Sequence, residues 1–258
     1  MNIDPVTDPT QRRALWIELA IVGVLTFGMS AVLAVLSLLE AQLTGGIDKS
    51  TVALNPSRSE IGWIDAVRQS LSAVRLLGMA ALAAYLLWRS GIRLTAVGLT
   101  RRPARGDVPV GLGLAALIGL PGLALVFAAH HLGLNAALVP SDTGGPWWQT
   151  PVLVAVAIGN AVAEEVVVVA YLLVRLRQLG VRDHSALAAS ALLRGAYHLY
   201  QGIGGGLGNV VMGLVFGRFF QRTDRVWPLV IAHAVIDVVA FLGFLYLGDR
   251  LGLAHVRT

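Results

Sequence analysis

The sequence predicts an all-α fold: a polytopic transmembrane helix bundle of about seven spans with its N-terminus in the cytoplasm. Three observations carry this. The 258 residues are 56% hydrophobic and 14% charged, with a mean hydropathy of +0.71, whereas a soluble domain averages about 25% charged residues. Apolar runs of about 20 residues recur, the length an α-helix needs to cross a bilayer while satisfying its own backbone. Most of the 20 Lys and Arg residues fall in alternate gaps between those runs, as the positive-inside rule requires.

The helices are expected at 14–40, 66–89, 108–132, 151–174, 185–200, 203–221 and 226–247. The first apolar run, Ala14 to Leu39, is too long for a signal-peptide core of about 7–15 residues, and Arg12 and Arg13 before it hold the N-terminus inside. The polar stretch 44–65 is an external loop leading to the second helix. The linker RRPARGD, Arg101 to Asp107, precedes the third helix and divides an N-terminal two-span region, 1–107, from a membrane-embedded core, 108–258. Trp147 and Trp148 stand before the fourth helix, where an interfacial aromatic belt belongs. The fifth and sixth helices are short, rich in small residues and separated by Gly202, Gly204, Gly205 and Gly206. They are either tilted spans or a buried helical hairpin, and small residues suit close packing in either case.

The arginines orient the bundle. Arg89, Arg93, Arg101, Arg102 and Arg105 follow the second helix. Arg175, Arg177 and Arg182 follow the fourth, and Arg218, Arg222 and Arg225 the sixth. All share a side with Arg12 and Arg13. Lys49, Arg58, Arg250 and Arg257 lie opposite, and the loop around Ser141 carries neither Lys nor Arg. This places the C-terminus outside. Arg75, inside the second helix, is expected to pair with an acid or with backbone carbonyls. The net charge of +5 is thus topogenic, and no nucleic-acid partner is expected. Lys49 is the only lysine, a bias that points to a GC-rich bacterium and its cytoplasmic membrane. The absence of cysteine excludes disulfides, thiolate zinc sites and a Cys nucleophile.

Glu164 and Glu165 are the only charged groups in PVLVAVAIGNAVAEEVVVVAYLLV, Pro151 to Val174. A carboxylate at mid-bilayer is costly and usually serves a function inside the protein. His198, His233 and Asp237 also lie in apolar runs. At about 1.5 Å of rise per residue, Glu164 lies about 15 Å above the inner end of its helix. On the same scale His198 lies at about 20 Å, His233 at about 10 Å and Asp237 at about 16 Å. Three helices thus bring polar groups into one layer. His233 and Asp237, four residues apart, share a helix face. Glu164 and Glu165 differ by about 100° around theirs, so one is expected to face the cluster and the other a neighbouring donor. Asn160, one turn before Glu164, is either its hydrogen-bond partner or a packing contact.

These residue types suit water activation. A buried glutamate takes a proton from water, a neutral histidine orients that water, and a second histidine donates to a developing oxyanion. Glu164, His198 and His233 are also the donor types that hold a divalent metal such as zinc, although the HExxH pattern of soluble zinc proteases is absent.

At these positions the chain resembles the CPBP intramembrane proteases, also called the Abi family, which includes the type 2 CAAX prenyl proteases. The family's Glu-Glu-x-x-x-Arg motif is matched by Glu164-Glu165-Val166-Val167-Val168-Val169. Its Phe-x-x-x-His motif is matched by Arg194-Gly195-Ala196-Tyr197-His198. Its final His-x-x-x-Asn motif is matched by His233-Ala234-Val235-Ile236-Asp237. The resemblance covers about 150–245. It implies that Glu164 is the general base, that His198 helps activate water, and that His233 with Asp237 polarises the scissile carbonyl, with Glu165 and Arg194 in support; Asn160 is a supporting candidate by its spacing alone. Three positions depart from the motifs. Val169 replaces the arginine, Arg194 the phenylalanine and Asp237 the asparagine. Arg194 is one turn from His198 and is expected to supply the missing guanidinium to Glu165, leaving Glu164 free; otherwise it snorkels to the inner boundary. An ionised Asp237 would oppose an oxyanion, so it is protonated, paired to His233 or part of a metal site.

The expected activity is intramembrane endopeptidase cleavage of a membrane-associated protein or peptide. Two other readings stand beside it. A non-catalytic immunity or scaffold protein of the same family uses the polar residues as interhelical glue. A proton-coupled transporter uses acid and histidine pairs as relays, and its usual inverted repeats are not found. His130, His131, His184 and His255 lie at span ends or in the tail and are read as interfacial.

Overall fold

The computed structural model of the chain describes residues 3–53, 55–99, 102–139 and 146–247. Arg101, Ser141, Arg250, His255 and Arg257 lie outside the described residues. The helices are α1 (Pro9–Leu25), α2 (Phe27–Leu43), α3 (Gly62–Arg89), α4 (Asp107–His131), α5 (Gln149–Glu164), α6 (Leu172–Gln178), α7 (Asp183–Tyr197), α8 (Ile203–Thr223) and α9 (Trp227–Leu247). A π-helical stretch, Glu165–Tyr171, joins α5 to α6, and a 3-10 turn, Leu199–Gln201, follows α7. Each expected helix is present within a few residues of its expected bounds.

The chain is an integral membrane protein. Four helical segments are long and apolar enough to cross a bilayer: 62–89, 107–129, 149–178 and 203–223. The bent pair α1 and α2 passes the same test when taken together, as a broken span or a re-entrant loop. The apolar part of α9 and the 15-residue α7 fall short of the full crossing length. The first expected helix is broken at Thr26, where its halves meet at 51°. The cause is local: Thr26 Oγ1 donates to the Val22 carbonyl at 2.6 Å, and such back-bonding by Ser or Thr bends helices.

The segment 149–178 is the most buried of the four spans. α3 and α9 pack against α5, α4 packs on α9, and α8 lies between α4 and α7, with α2 covering α7. Along α3 the buried residues Asp65, Gln69, Ala73, Ala80 and Ala83 form one helical stripe facing α5. Arg75 lies off that stripe. It is exposed, and no partner for it is found among the described residues. The expected internal pairing is therefore corrected: residue 75 points away from the bundle because α3 packs through a different face.

Two three-residue strands were not expected, since a strand that short has no period to read. β1 (Thr51–Ala53) pairs in parallel with β2 (Ala137–Val139), with Val52 opposite Leu138. The chain just before β2 also grips the turn after α7. Ala136 N–H donates to the Gln201 carbonyl at 3.1 Å, and Ile203 N–H to Leu134 at 2.9 Å. Gly202 makes this possible, with φ of +111° and Asn135 Cα only 2.6 Å from where a Cβ would sit.

A second polar cluster lies toward the Arg177 end of the bundle. Arg175, counted above among loop arginines, is fully buried. Its Nε donates to Glu18 at 2.8 Å, its Nη1 to Ser90 and Gln178, and its Nη2 to the Leu86 carbonyl. Tyr171 Oη also donates to Glu18 at 2.8 Å. One guanidinium thus ties α1, α3 and α6 together.

Topology is tested by cysteine labelling, which starts from a chain without cysteine. Ser57 and Ala104 are both exposed and lie on opposite sides in the arginine-derived map. An impermeant thiol reagent applied to intact cells is expected to label Ser57→Cys and spare Ala104→Cys. Equal labelling of both would overturn the map.

Candidate active site

The site begins with the π-helical stretch. Four successive valines, Val166 to Val169, are β-branched and crowd an α-helical turn. Ser190 of α7 donates to the Val168 carbonyl at 2.7 Å, and a side chain that bonds into a helix's carbonyl ladder can distort it. The turn widens to i→i+5 bonding, which rotates the chain less per residue. Glu164 and Glu165 sit at its start, both buried.

α7 brings the counter-charge. Arg194 is 0% exposed, and its Nη2 donates to Glu165 Oε1 at 2.5 Å. The same nitrogen lies 4.0 Å from Glu164 Oε2. Its stem passes Gly213 of α8, where a Cβ would meet Ala191 Cα at 2.8 Å and Arg194 Cδ at 3.4 Å. Its guanidinium carbon lies 5.7 Å from the centroid of the Phe216 ring, within cation–π range. The expected Arg194–Glu165 pair is therefore present, and snorkelling is not. The expectation that Glu164 and Glu165 face different partners holds only in part, since one long side chain reaches both across the widened turn. Glu164 is also not free: Tyr197 Oη donates to its Oε2 at 2.5 Å.

α9 completes the cluster. His233 Nδ1 lies 2.7 Å from Glu165 Oε1. Its Nε2 is 3.5 Å from Asp237 Oδ1, as the four-residue spacing anticipates. Asn160 Nδ2 donates to Asp237 Oδ2 at 3.0 Å. Of the two readings left open for Asn160, a hydrogen bond to Glu164 or a packing contact, the structure shows neither alone: the amide bonds Asp237, because α9 packs on the Asn160 face of α5. Of the three states left open for Asp237, the pairing to His233 matches this geometry.

His198 stands at the end of α7, half-buried. Its Nδ1 lies 3.0 Å from the Arg194 carbonyl. A carbonyl only accepts, so Nδ1 carries the proton and Nε2 is left with its lone pair. Glu164, Arg194 and His233 all lie within electrostatic reach of His198. The structure therefore brings together every residue singled out from the sequence: Glu164, Glu165, His198, His233, Asp237, Arg194 and Asn160. Tyr197 was missed as a partner. The available signal was a phenol in an apolar helix beside a candidate histidine, since a buried Tyr hydroxyl needs a hydrogen-bond partner.

Among the described residues no three His, Asp or Glu side chains are grouped to hold a metal ion. Glu164, His198 and His233 each engage another protein group. Glu165 Oε2 is buried without a hydrogen-bond partner, but the Arg194 guanidinium on the same carboxylate disfavours a second cation there.

The family model described as type II CAAX prenyl endopeptidase, Rce1-like, matches residues 146–239. This is the CAAX protease family that the motifs resemble, and the matched segment holds all seven residues of the cluster. No curated protein and no solved structure matches the chain.

Proposed function

We propose that the chain is an intramembrane endopeptidase, hydrolysing a peptide bond of a membrane-associated protein or peptide with water activated by Glu164 and His198. The observation that most supports this is the gathering of carboxylates and imidazoles from three apolar helices around the buried pair Glu164 and Glu165. Bundle packing alone does not require five titratable groups there, given what each costs in a membrane. The family match supports protease chemistry over transport.

The chemistry runs through the side chains. Water hydrogen-bonds to the lone pair of His198 Nε2 and gives a proton to Glu164 as its oxygen attacks the scissile carbonyl carbon. The carbonyl π-electrons move to oxygen. His233 acts as an imidazolium with its Nδ1–H donated to Glu165, and the tetrahedral oxyanion accepts a hydrogen bond from its Nε2–H. That nitrogen is held only by its long contact with Asp237, so it can turn to substrate. Glu164 then passes its proton to the leaving nitrogen as the C–N bond breaks. Glu165 holds His233, and Arg194, paired with Glu165, keeps charge balanced in the low-dielectric interior. The substrate reaches the site from a bacterial cytoplasmic membrane.

The test compares membrane proteomes of cells carrying wild type and Glu164→Ala. New peptide termini are expected only with the wild type. Identical terminus sets would favour the non-catalytic scaffold.

A further inference from the structure

We propose that Tyr197 is a positioning residue for Glu164, and that the N-terminal helix pair holds it in place; this rests on Glu164 being the base. The phenol donates to Glu164 Oε2 at 2.5 Å, and among the described residues Oε1 has no side-chain partner. One oxygen is thus tied down and the other left for water. The neighbouring carboxylate shows what Tyr197 prevents. Glu165 has closed onto Arg194 at 2.5 Å, while Glu164 stands 4.0 Å from the same nitrogen. A base that closed the remaining distance would form an ion pair and become a poor proton acceptor. The hydroxyl of Tyr197 holds it off while still satisfying a buried oxygen.

The Tyr197 ring is itself held. It is 6% exposed, with Phe27 at 4.9 Å and His198 at 4.7 Å between ring centroids. Phe27 is the first residue of α2, immediately after the break at Thr26. The 51° bend therefore lets α2 cover α7 with an aromatic ring at the depth of the site. Phe27 lies outside the segment that matches the family model, 146–239. The N-terminal region is in this way part of the catalytic unit.

The experiment uses purified full-length protein and a peptide cleaved by the wild type. Tyr197→Phe keeps the ring and removes only the donor. It is expected to lower kcat about 10–100-fold, the worth of a hydrogen bond to a charged group, with KM within about twofold. In the infrared, the carboxylate band that disappears in Glu164→Gln is expected to shift in Tyr197→Phe. Phe27→Ala is expected to lower kcat about tenfold through misplacement, with recovery in Phe27→Leu, which refills the space. An unchanged kcat in Tyr197→Phe overturns the proposal, whether or not the band moves. Turnover that survives Glu164→Gln overturns the reading of the base itself. The band separates the two failures, because it reports the Tyr197–Glu164 bond without reference to catalysis.

Discussion

Glu164→Gln and His198→Ala are each expected to abolish peptide cleavage in a protein that still inserts and folds. Gln keeps the shape of the side chain and can still accept from Tyr197 Oη, which lies 2.5 Å from Glu164 Oε2, but it cannot take a proton from water. Loss of a general base costs about 10²–10⁴ in rate, and removing the unit that holds and deprotonates the water costs more. His198→Ala deletes the acceptor at Nε2 and leaves the Arg194 carbonyl, 3.0 Å from Nδ1 in the wild type, without its donor. Turnover on the peptide, with thermal stability in detergent measured alongside, separates chemistry from folding. Glu165→Gln is the informative contrast. Glu165 faces Arg194 at 2.5 Å and His233 at 2.7 Å, so its loss is expected to lower stability together with activity. Near-normal turnover in Glu164→Gln would show that the base has been misassigned.

The second large effect concerns the exchanged arginine. Arg194→Phe restores the residue of the family motif but leaves Glu165, 0% exposed, without its counter-charge. Breaking a buried ion pair from one side costs about 3–5 kcal/mol, so the single variant is expected to be severely destabilised or inactive. Val169 is also fully buried, and Val169→Arg alone is expected to be harmful, because it forces a second cation into a filled core. Together they are expected to recover much of the loss, since an arginine four residues after Glu165 can reach the same carboxylate. The double-mutant cycle should give a coupling of about 1–3 kcal/mol. Additive effects would mean that positions 169 and 194 do not substitute for one another, and that Arg194 serves Glu165 in some way a guanidinium from 169 cannot reproduce.

The sequence alone determined the class and the inventory. A bilayer admits few structures that satisfy the backbone, so apolar runs of spanning length and alternating arginines mark out the helices. A charged group in such a run is so costly that each one is informative, and Glu164, Glu165, Arg194, His233 and Asp237 were all legible for that reason. Rise per residue placed them in one layer, and four-residue spacing joined His233 to Asp237. Partnership was a different matter. Whether Asn160 meets Glu164 or Asp237 depends on which face of α5 receives α9, and no local signal carries that. The approach of Arg194 to Glu165 at 2.5 Å and to Glu164 at 4.0 Å follows from how α7 packs against the π-helical turn, where Ser190 also donates to the Val168 carbonyl. Arg175 shows the limit from the other side. In sequence it is one of several arginines after an apolar run, yet the approach of α1 and α3 buries it against Glu18, Ser90 and the Leu86 carbonyl. Hydrophobic period and the cost of buried charge act along one helix and can be read from its residues. The choice of partner for each charge is settled only when helices distant in sequence pack, because hydrogen bonds a few ångströms long are fixed by that packing alone.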